Sequence, residues 1–371
     1  PRPTATMGEA FDQRACEVMD VKYARGTSSG TGALHAAMVA VGVQAGTEVI
    51  LPALGFVATA MAVRVAGGKP VFCDINASLQ IDPAKIEACI TPQTVAIAPT
   101  HYMGRVCDMD PILAVAKKHN LKVVEDCAQS PGAQYKGKYV GTMGDIGCFS
   151  ISCYKIIGGG EGGMFITHNE RLFERSCQLA EAGGLWRGAK RFHQPDYEGQ
   201  IFWGTNYRMS ELEAAIDLVQ IGKLNDVVAR SRKVSQRILG QLKTYKEIQP
   251  QVSNDPQGDI GYLLRYLPAT PELAAQLTQA LSAEGIGGYV RPENATPDWH
   301  LYNEMLPITL TDNHDSYQAG ACPVTDHWFG RMVNMGLKPW LSEEDCDAIA
   351  AGMNKVFDAY CTEDSNASAW I

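Results

Sequence analysis

The fold is decided by residues 147–164, Gly147-Cys-Phe-Ser150-Ile-Ser-Cys-Tyr-Lys155-Ile-Ile-Gly158-Gly-Gly-Glu161-Gly-Gly163-Met. A short apolar run, typical of a buried strand, leads to a lysine and then to a run of glycines. The residues before Lys155 carry no other charge, which argues against a solvated surface lysine. A desolvated lysine loses its charge more readily and then attacks carbonyl groups. The segment therefore predicts a reactive amine just beyond a strand.

A second apolar strand ends in a carboxylate, in the sequence Val123-Val124-Glu125-Asp126. A partly buried carboxylate needs a cationic partner, and a protonated pyridine nitrogen is one. A nucleophilic lysine and a strand-end aspartate are together what a pyridoxal phosphate (PLP) site requires. For Asp126 taken alone, a helix cap after the strand is an equally good interpretation.

Apolar runs alternate with helical patterns through the first half of the chain. Continuous Val/Ile runs between helices predict strands buried on both faces, and hence a mostly parallel sheet with its ligand beyond the carboxyl ends of the strands. The predicted strands are Thr47–Pro52, Lys69–Ile75, Thr94–Thr100, Leu121–Asp126, Asp145–Ser150 and Gly163–Thr167, and the flanking helices include Gly32–Val41, Ala58–Val65, Asp82–Ile90 and Asp110–Lys118.

The later part of the chain has a different pattern. A capping box at Ser210 predicts a long helix that runs to about Tyr245. A polar stretch rich in Pro, Gly and Asp, residues 250–261, predicts a linker. Strands and helices follow in the order expected for a smaller α+β domain. We therefore expect a large domain over residues 1–250 and a small C-terminal domain over residues 251–371.

Other residues are candidates for ligand contacts. The run Gly26-Thr-Ser-Ser-Gly30-Thr31-Gly32 leads straight into a helix, which suits a phosphate, although an ordinary helix cap has the same pattern. Ser150 would donate its hydroxyl to that phosphate. Phe56 follows a strand end, where its ring would stack on a flat cofactor or belong to the core. His101 follows the strand Ala96–Thr100 and would face the site.

Composition narrows the possible partners. The net charge of −9 argues against nucleic acid or an anionic membrane as the main partner, and no apolar run approaches a membrane span. The 11 cysteines include no Cys-x-x-Cys, so we expect reduced thiols, a cytoplasmic location, and neither a disulfide framework nor a metal site. The chain opens without a methionine or a signal peptide, so an N-terminally trimmed form is expected.

An ordered set of motifs over nearly the whole chain resembles the DegT/DnrJ/EryC1/StrS family of PLP-dependent sugar aminotransferases. The motifs are Ser29-Gly-Thr-Gly-Ala-Leu34, Gly46-Thr-Glu-Val-Ile-Leu-Pro52, Phe56-Val-Ala-Thr, Gly68-Lys-Pro-Val-Phe72, Glu125-Asp-Cys-Ala-Gln129, Gly144-Asp-Ile-Gly-Cys-Phe-Ser150, Lys155, Glu161-Gly-Gly163 and Asn206-Tyr-Arg-Met-Ser-Glu211. Such an ordered set is highly specific, whereas each motif alone is not.

The resemblance implies an α/β fold of PLP-dependent transferase fold type I, as in aspartate aminotransferase, in a homodimer with sites at the interface. It also implies the role of each matching residue. Lys155 would hold the cofactor as a Schiff base, and Asp126 would pair with its pyridine nitrogen. Gln129 would lie beside the 3′ oxygen of the ring, and Phe56 would stack on the ring. The phosphate would be bound by Thr31, Gly32 and Ser150, and by Asn206 of the neighbouring subunit.

The implied reaction moves an amino group from an amino acid, L-glutamate in the family, to a carbonyl of a sugar-like acceptor. A family branch that removes a sugar hydroxyl has histidine at the lysine position, so Lys155 favours amination over dehydration. The family's usual sequence before the lysine differs from Ser152-Cys-Tyr154 here, which leaves nearby substrate contacts open. A nicotinamide-dependent oxidoreductase is the alternative of another class, and the missing dinucleotide fingerprint opposes it.

The identity of the acceptor substrate is expected to be set by variable loops of the chain. Residues 185–197 are basic and aromatic in an acidic protein, which suits an anionic, sugar-like ligand, although a surface loop fits equally well. The substrate candidates are His101, Arg187, Arg191, His193 and Tyr197. A nucleotide-linked keto sugar and a keto-sugar acid both fit, and a keto-cyclitol stays possible. Residues 255–259 and 306–310 resemble the branch that acts on an 8-oxo-octulosonate, which favours the acid.

Overall fold

A seven-stranded sheet lies at the centre of the N-terminal part of the computed structural model, which describes residues 6–183, 201–290 and 320–370. The described strands, in chain order, are β1 Tyr23–Thr27, β2 Glu48–Pro52, β3 Lys69–Cys73, β4 Thr94–Ile97, β5 Lys122–Asp126, β6 Gln134–Tyr135, β7 Lys138–Tyr139, β8 Ile146–Ser150, β9 Gly163–Thr167, β10 Ile248–Pro250, β11 Leu263–Pro268, β12 Tyr289–Val290 and β13 Val333–Gly336. The large sheet has the order β1-β9-β8-β5-β4-β2-β3.

Most strand pairs of the large sheet are parallel. Strands β8, β5, β4, β2 and β3 pair in parallel, whereas β9 is antiparallel to its neighbours β1 and β8. Along β2, Ile50 belongs to one apolar cluster and Val49 and Leu51 belong to another, because successive side chains point to opposite faces of a sheet. Both faces are therefore covered, as parallel sheets require, and the predicted α/β fold with a mostly parallel sheet is confirmed.

Helices supply the cover on both faces. The helix Gly30–Ala40 consists mainly of small and apolar residues because it is almost entirely buried against β8, β9 and the helix Glu170–Ala180. Among the described helices, none combines the length and apolarity needed to cross a membrane. The described helices of this part are Met7–Met19, Gly30–Ala40, Ala58–Val65, Pro83–Ile86, Met109–His119, Glu170–Ala180, Glu211–Ile221 and Leu224–Leu239.

The long helix predicted from Ser210 to about Tyr245 is wrong in length. The capping box at Ser210 is present, but the helix ends at Ile221 and a second helix covers Leu224–Leu239. Between them, Gly222 and Lys223 form a turn in which Lys223 has φ −91° and ψ −8°, at the edge of the right-handed helical region, and Gly222 lacks the side chain that would favour continuation. The helical periodicity of the sequence continues through the break, which is why the pattern alone did not show it.

A second, four-stranded sheet forms the C-terminal part. Its order is β10-β11-β13-β12, and all of its pairs are antiparallel. The helices Pro271–Ala283 and Glu343–Tyr360 contribute to its core, as predicted for an α+β arrangement. Val234 and Ile238 also belong to this core, so its packing begins before residue 250. The division into domains at residue 250 stays a prediction.

The predicted linker, residues 250–261, is firmly attached to the rest of the molecule. The carboxylate of Asp259 accepts hydrogen bonds from Arg105 Nη1 at 2.6 Å and from the backbone N–H of Val106 at 2.9 Å, and Asp259 is buried. Arg232 donates to the carbonyl oxygens of Gly258 and Asp259, both at 2.8 Å. Part of the polar composition therefore serves hydrogen bonds into the fold, whereas Pro256 and Gln257 are exposed.

Replacing Asp259 is expected to test this attachment. The Asp259→Ala change leaves the buried guanidinium of Arg105 without its carboxylate, so the free energy of unfolding should fall by about 3–5 kcal/mol in urea titrations. The control is Asp226→Ala, which breaks an exposed pair with Arg230 and should cost less than about 1 kcal/mol. Equal losses from the two variants would contradict this interpretation.

Candidate active site

The loop that carries Lys155 connects β8 to β9 and is closed by its own backbone. Backbone hydrogen bonds join the two arms of the loop: Ile151 N–H to Gly162 O at 2.9 Å, Cys153 N–H to Gly160 O at 2.8 Å and Gly159 N–H to Ile151 O at 2.9 Å. Lys155 lies between the arms and is half-buried. Desolvation lowers the pKa of its ammonium group, against the opposing fields of Asp126 and Glu161. The predicted apolar setting of this lysine is therefore present.

Asp126 lies at the end of β5 and is buried. Its Oδ2 accepts a hydrogen bond from Thr59 Oγ1 at 2.6 Å, and its Oδ1 accepts one from the N–H of Ala128 at 3.0 Å. Burial raises the pKa of the Asp126 carboxyl, while these two donors and the charge of Lys155 act in the opposite direction. The result is a fixed carboxyl group whose ionised form needs a further cationic partner.

The N-terminus of the helix Gly30–Ala40 lies beside Ser150. Ser29 caps this helix by accepting a hydrogen bond from the N–H of Gly32 at 3.1 Å. A Cβ added at Gly30 would lie 2.7 Å from the Cβ of Ser150, so glycine is needed for this close approach. Helix geometry leaves the N–H groups of Gly30 and Thr31 without intrahelical acceptors. An anion held here would meet N–H groups, the Ser150 hydroxyl and the positive end of the helix dipole.

Phe56 and Gln129 are held in different environments. Phe56 follows β2 and its ring is exposed, with 60% of its surface accessible, so the expectation that it is an ordinary core residue is wrong. Gln129 is nearly buried, and its Oε1 accepts a hydrogen bond from the N–H of Met103 at 3.0 Å. Because the oxygen is engaged there, the amide nitrogen of Gln129 is the group that would donate to a ligand.

His101 is not placed as a substrate contact. It is completely buried, its Nε2 lies 3.0 Å from Glu125 Oε2, and its Nδ1 accepts a hydrogen bond from the N–H of Cys107 at 3.1 Å. Since Nδ1 is the acceptor, Nε2 carries the proton and donates to Glu125. Both ring nitrogens therefore serve the scaffold, and the substrate contact predicted for His101 does not fit this geometry.

Glu125 completes that buried network. Its carboxylate also accepts hydrogen bonds from the backbone N–H groups of Gly141, Met143 and Gly144, at 2.6–2.9 Å. The ligand atoms of His101, Glu125 and Cys127 lie within 4.8 Å of one another, but a metal ion there would have to displace these hydrogen bonds. The expectation that the protein has no metal site stays a prediction.

Asn206 is exposed in the single chain. Its Oδ1 accepts a hydrogen bond from the N–H of Arg208 at 3.2 Å, and its backbone pairs with that of Glu181. This exposure is compatible with a contact to another subunit. The remaining substrate candidates, Arg187, Arg191, His193 and Tyr197, lie outside the described residues.

Sequence reasoning missed Thr59 and Tyr207. Thr59 is a lone hydroxyl residue in an otherwise apolar stretch of the helix Ala58–Val65, and this signal was readable in the sequence. Tyr207 packs its ring against Gly32, where an added Cβ would lie 3.0 Å from the ring, and its hydroxyl lies 2.9 Å from Nδ1 of His35. Tyr207, which is distant in sequence, thus packs against the N-terminal end of the helix Gly30–Ala40. No local sequence pattern reveals this contact.

The fold and the family likeness define a class of protein, the PLP-dependent aminotransferases of fold type I. A solved aminotransferase from Psychrobacter cryohalolentis has the same fold, with a TM-score of 0.82 and 29% identity over 96% of this chain and 92% of the other. The model of the DegT/DnrJ/EryC1/StrS aminotransferase family matches residues 5–354. The chain belongs to this family, and the predicted family and enzyme class are confirmed.

Curated relatives extend the likeness over most of their length. The GDP-perosamine synthase of Caulobacter vibrioides is 35% identical over 351 residues, which cover 93% of this chain and 89% of the relative. The UDP-N-acetyl-3-dehydro-alpha-D-glucosamine 3-aminotransferase of Acidithiobacillus ferrooxidans is 33% identical over 92% of this chain and 86% of the relative. The second of these relatives is named as a sugar aminotransferase, the activity that the sequence motifs predict.

The titration of Lys155 offers a direct test of the electrostatics. Because burial lowers its pKa, the lysine should become reactive below the ordinary lysine value of 10.5. We expect the midpoint of acetic anhydride labelling of Lys155, followed by mass spectrometry on cofactor-free protein, to lie below that value. The Asp126→Asn change removes a charge that raises the pKa, so it should lower the midpoint further. A midpoint at or above 10.5, or an upward shift in the variant, would contradict this account.

Proposed function

We propose that this protein transfers an amino group from an amino acid to a carbonyl of a sugar-like acceptor, with PLP bound between Lys155, Asp126 and the helix Gly30–Ala40. The observation that carries the proposal is the desolvated Lys155 within the electrostatic field of the buried Asp126. Membership of an aminotransferase family and the name of a sugar 3-aminotransferase among its relatives support it.

The described residues fit the cofactor. The carboxyl group of Asp126 has two protein donors and would pair with the pyridine nitrogen, which supplies the cation that a buried carboxylate requires. Close packing at Gly30 brings the helix N-terminus beside Ser150, so the phosphate would be bound there by Thr31, Gly32 and Ser150. The exposed ring of Phe56 would stack on the cofactor, and Gln129 would donate to the 3′ oxygen.

Lys155 would have two tasks in turn. Its lowered pKa increases the fraction of neutral amine at a given pH, and that amine would be the point of covalent attachment. When bound, PLP supplies an electron sink for the α-carbon of the amino donor. Once released by the donor, the Nζ of Lys155 would take the proton from that α-carbon and deliver it at the C4′ position. Asp126 would hold its partner in the cationic form throughout.

For the acceptor we favour a nucleotide-linked keto sugar over a keto-sugar acid such as an 8-oxo-octulosonate. Two relatives that span most of the chain are named for GDP- and UDP-linked sugars. An anionic nucleotide also suits the basic and aromatic residues 185–197, including Arg187 and Arg191. Transamination is favoured over sugar dehydration because Lys155 can make the covalent attachment, which histidine cannot.

The reaction divides into two halves that are measured separately. Protein supplied with PLP and L-glutamate should release one equivalent of 2-oxoglutarate per site without any acceptor, because the amino group stays on the enzyme. Lys155→Ala should slow this release by roughly 10²–10⁴-fold, the usual worth of a positioned acid–base group, whereas Lys118→Ala, at an exposed lysine, should not.

The second half identifies the acceptor. The amino-loaded enzyme should regain its PLP absorbance when mixed with a GDP- or UDP-linked keto sugar, and not with an 8-oxo-octulosonate or a keto-cyclitol. Recovery with the sugar acid alone would overturn the choice of acceptor. Unchanged release from Lys155→Ala, or loss of a sugar hydroxyl without any 2-oxo acid, would overturn aminotransfer itself.

We further propose that the active unit is a homodimer with its sites at the interface. Trp203, with 97% of its surface accessible, and Leu212, with 82%, are large apolar residues near the exposed Asn206. Ile216 and Val219 extend this exposed surface along the helix Glu211–Ile221. An apolar surface of this kind beside a site residue favours burial against a second copy. The cytoplasmic location stays a prediction.

Mixed dimers would test the shared site. Lys155→Ala and Asn206→Ala subunits, each inactive or weak alone, are co-expressed with different tags and the mixed dimers are isolated by sedimentation and tandem purification. If Asn206 serves the site of the neighbouring subunit, one of the two sites in each mixed dimer is intact, and about half of wild-type activity is expected. If Asn206 serves its own subunit, no site is intact and no activity should be recovered.

A further inference from the structure

Asp217 is a buried carboxyl group that the proposed reaction does not use. It lies on the inner face of the helix Glu211–Ile221, between the buried residues Ala214 and Ile221, and has no solvent exposure. Neither of its carboxyl oxygens has a hydrogen-bond partner within the described part of the chain. Burial raises the pKa of Asp217 to about 7, with a smaller contribution from the charge of Glu213. A polar group kept in such a position at a cost in stability needs a reason.

The carboxyl group of Asp217 packs against the glycines of the Lys155 loop. A Cβ added at Gly159 would lie 1.6 Å from Oδ1, and one added at Gly162 would lie 2.6 Å from Oδ2. No side chain can therefore be accommodated at residue 159 while Asp217 keeps its position. The next turn of the same helix also contacts this arm, because Nε2 of Gln220 donates a hydrogen bond to the carbonyl oxygen of Gly158.

This arm of the loop sets the position of the lysine. Gly159, Gly160 and Gly162 supply one partner each to the backbone hydrogen bonds that close the loop around Lys155. Gly160 and Gly162 have φ values of +120° and +148°, so the arm has the conformational freedom of glycine, and Glu161 is the one residue of positions 158–163 that has a side chain. Packing against the helix Glu211–Ile221 restricts the arm further, in addition to these backbone hydrogen bonds.

We propose that Asp217 is a positioning residue for Lys155: its carboxyl group fills the space beside Gly159 and Gly162 and holds the glycine arm in the arrangement that keeps the lysine between the two arms. Gly159 and Asp217 then form an interdependent pair: the side chain of Asp217, on the helix, occupies the space that a side chain at residue 159 of the loop would need. The inference rests on the proposed role of Lys155, but the packing of the pair is independent of it.

The proposal predicts non-additive effects in a double-mutant cycle. Gly159→Ala places a methyl group on the Asp217 carboxyl and should disturb the arm, whereas Asp217→Ala removes the carboxyl group and leaves room for that methyl. The double variant should therefore behave like Asp217→Ala alone, with interaction energies in the range found for residues in contact. Asp217→Asn keeps the volume and should behave like the wild type. Gly330→Ala, at a position with open space, is the control for adding a methyl group.

The measurements separate this inference from the proposed function. In cofactor-free protein, hydrogen exchange of residues 151–163 should speed up by roughly tenfold in Gly159→Ala and return to the Asp217→Ala level in the double variant. With PLP, the midpoint of the spectroscopic titration of the bound cofactor should shift in Gly159→Ala and return to the Asp217→Ala value in the double variant. A general loss of stability would not produce this pattern. If the wild type bound no PLP, the proposed function would fail while the exchange data still tested the pair.

Three outcomes would overturn the inference. Additive effects of the two substitutions would show that the pair is not interdependent. A Gly159→Ala protein no more disturbed than Gly330→Ala would show that the space is not filled. An Asp217→Asn protein as disturbed as Asp217→Ala would show that the carboxyl group does not act by its volume. If Gly159→Ala fails to fold, recovery of folded protein in the double variant decides for the inference, and failure of both decides against it.

Discussion

The burial of the Asp126 carboxyl group is the constraint on which the rest of the site depends. β5 delivers it to the carboxyl edge of the parallel sheet, where Thr59 and the N–H of Ala128 hold both of its oxygens. Two neutral donors do not replace the hydration that an ionised carboxylate loses on burial, so the pKa of the Asp126 carboxyl group is raised. A positive charge beside it would stabilise the ionised form. In the proposed function, the cationic ring nitrogen of PLP would supply that charge, and the position of Asp126 would then decide where the ring lies.

A buried helix and a glycine-rich loop place the other groups of the candidate site at the carboxyl edge of the parallel sheet. The helix Gly30–Ala40 is rigid and buried, and it offers its N-terminus at a fixed place beside Ser150. The loop that holds Lys155 consists largely of glycine and is fixed by its own backbone hydrogen bonds and by the helix behind it. A buried helix N-terminus that would bind the phosphate, beside a lysine held in a glycine-rich loop, suits the proposed reaction, in which the lysine would be attached to the cofactor at one stage and free of it at another.

Several groups of the candidate site can be picked out from the sequence because their signals are local, and their roles stay predictions. The charge-free run before Lys155, the strand that ends in Asp126 and the small residues before the helix at Gly30 each indicate their role within a few residues. The exposure of Phe56, the engagement of His101 by Glu125 and Cys107, and the packing of Asp217 against Gly159 depend on chain segments far apart in sequence. Likewise, periodicity predicted one helix where the chain turns at Lys223, since both halves present apolar faces in nearly the same phase.

The central claim is that Lys155 is the residue to which the cofactor is attached. Borohydride reduction of the PLP-loaded protein, followed by proteolysis and mass spectrometry, tests it most directly, because reduction makes the attachment permanent. The account predicts that the pyridoxyl group is found on the peptide containing Lys155 and that yellow absorbance is lost as this adduct forms. Attachment at another lysine, with Lys155 recovered unmodified from protein that had bound PLP, would contradict it.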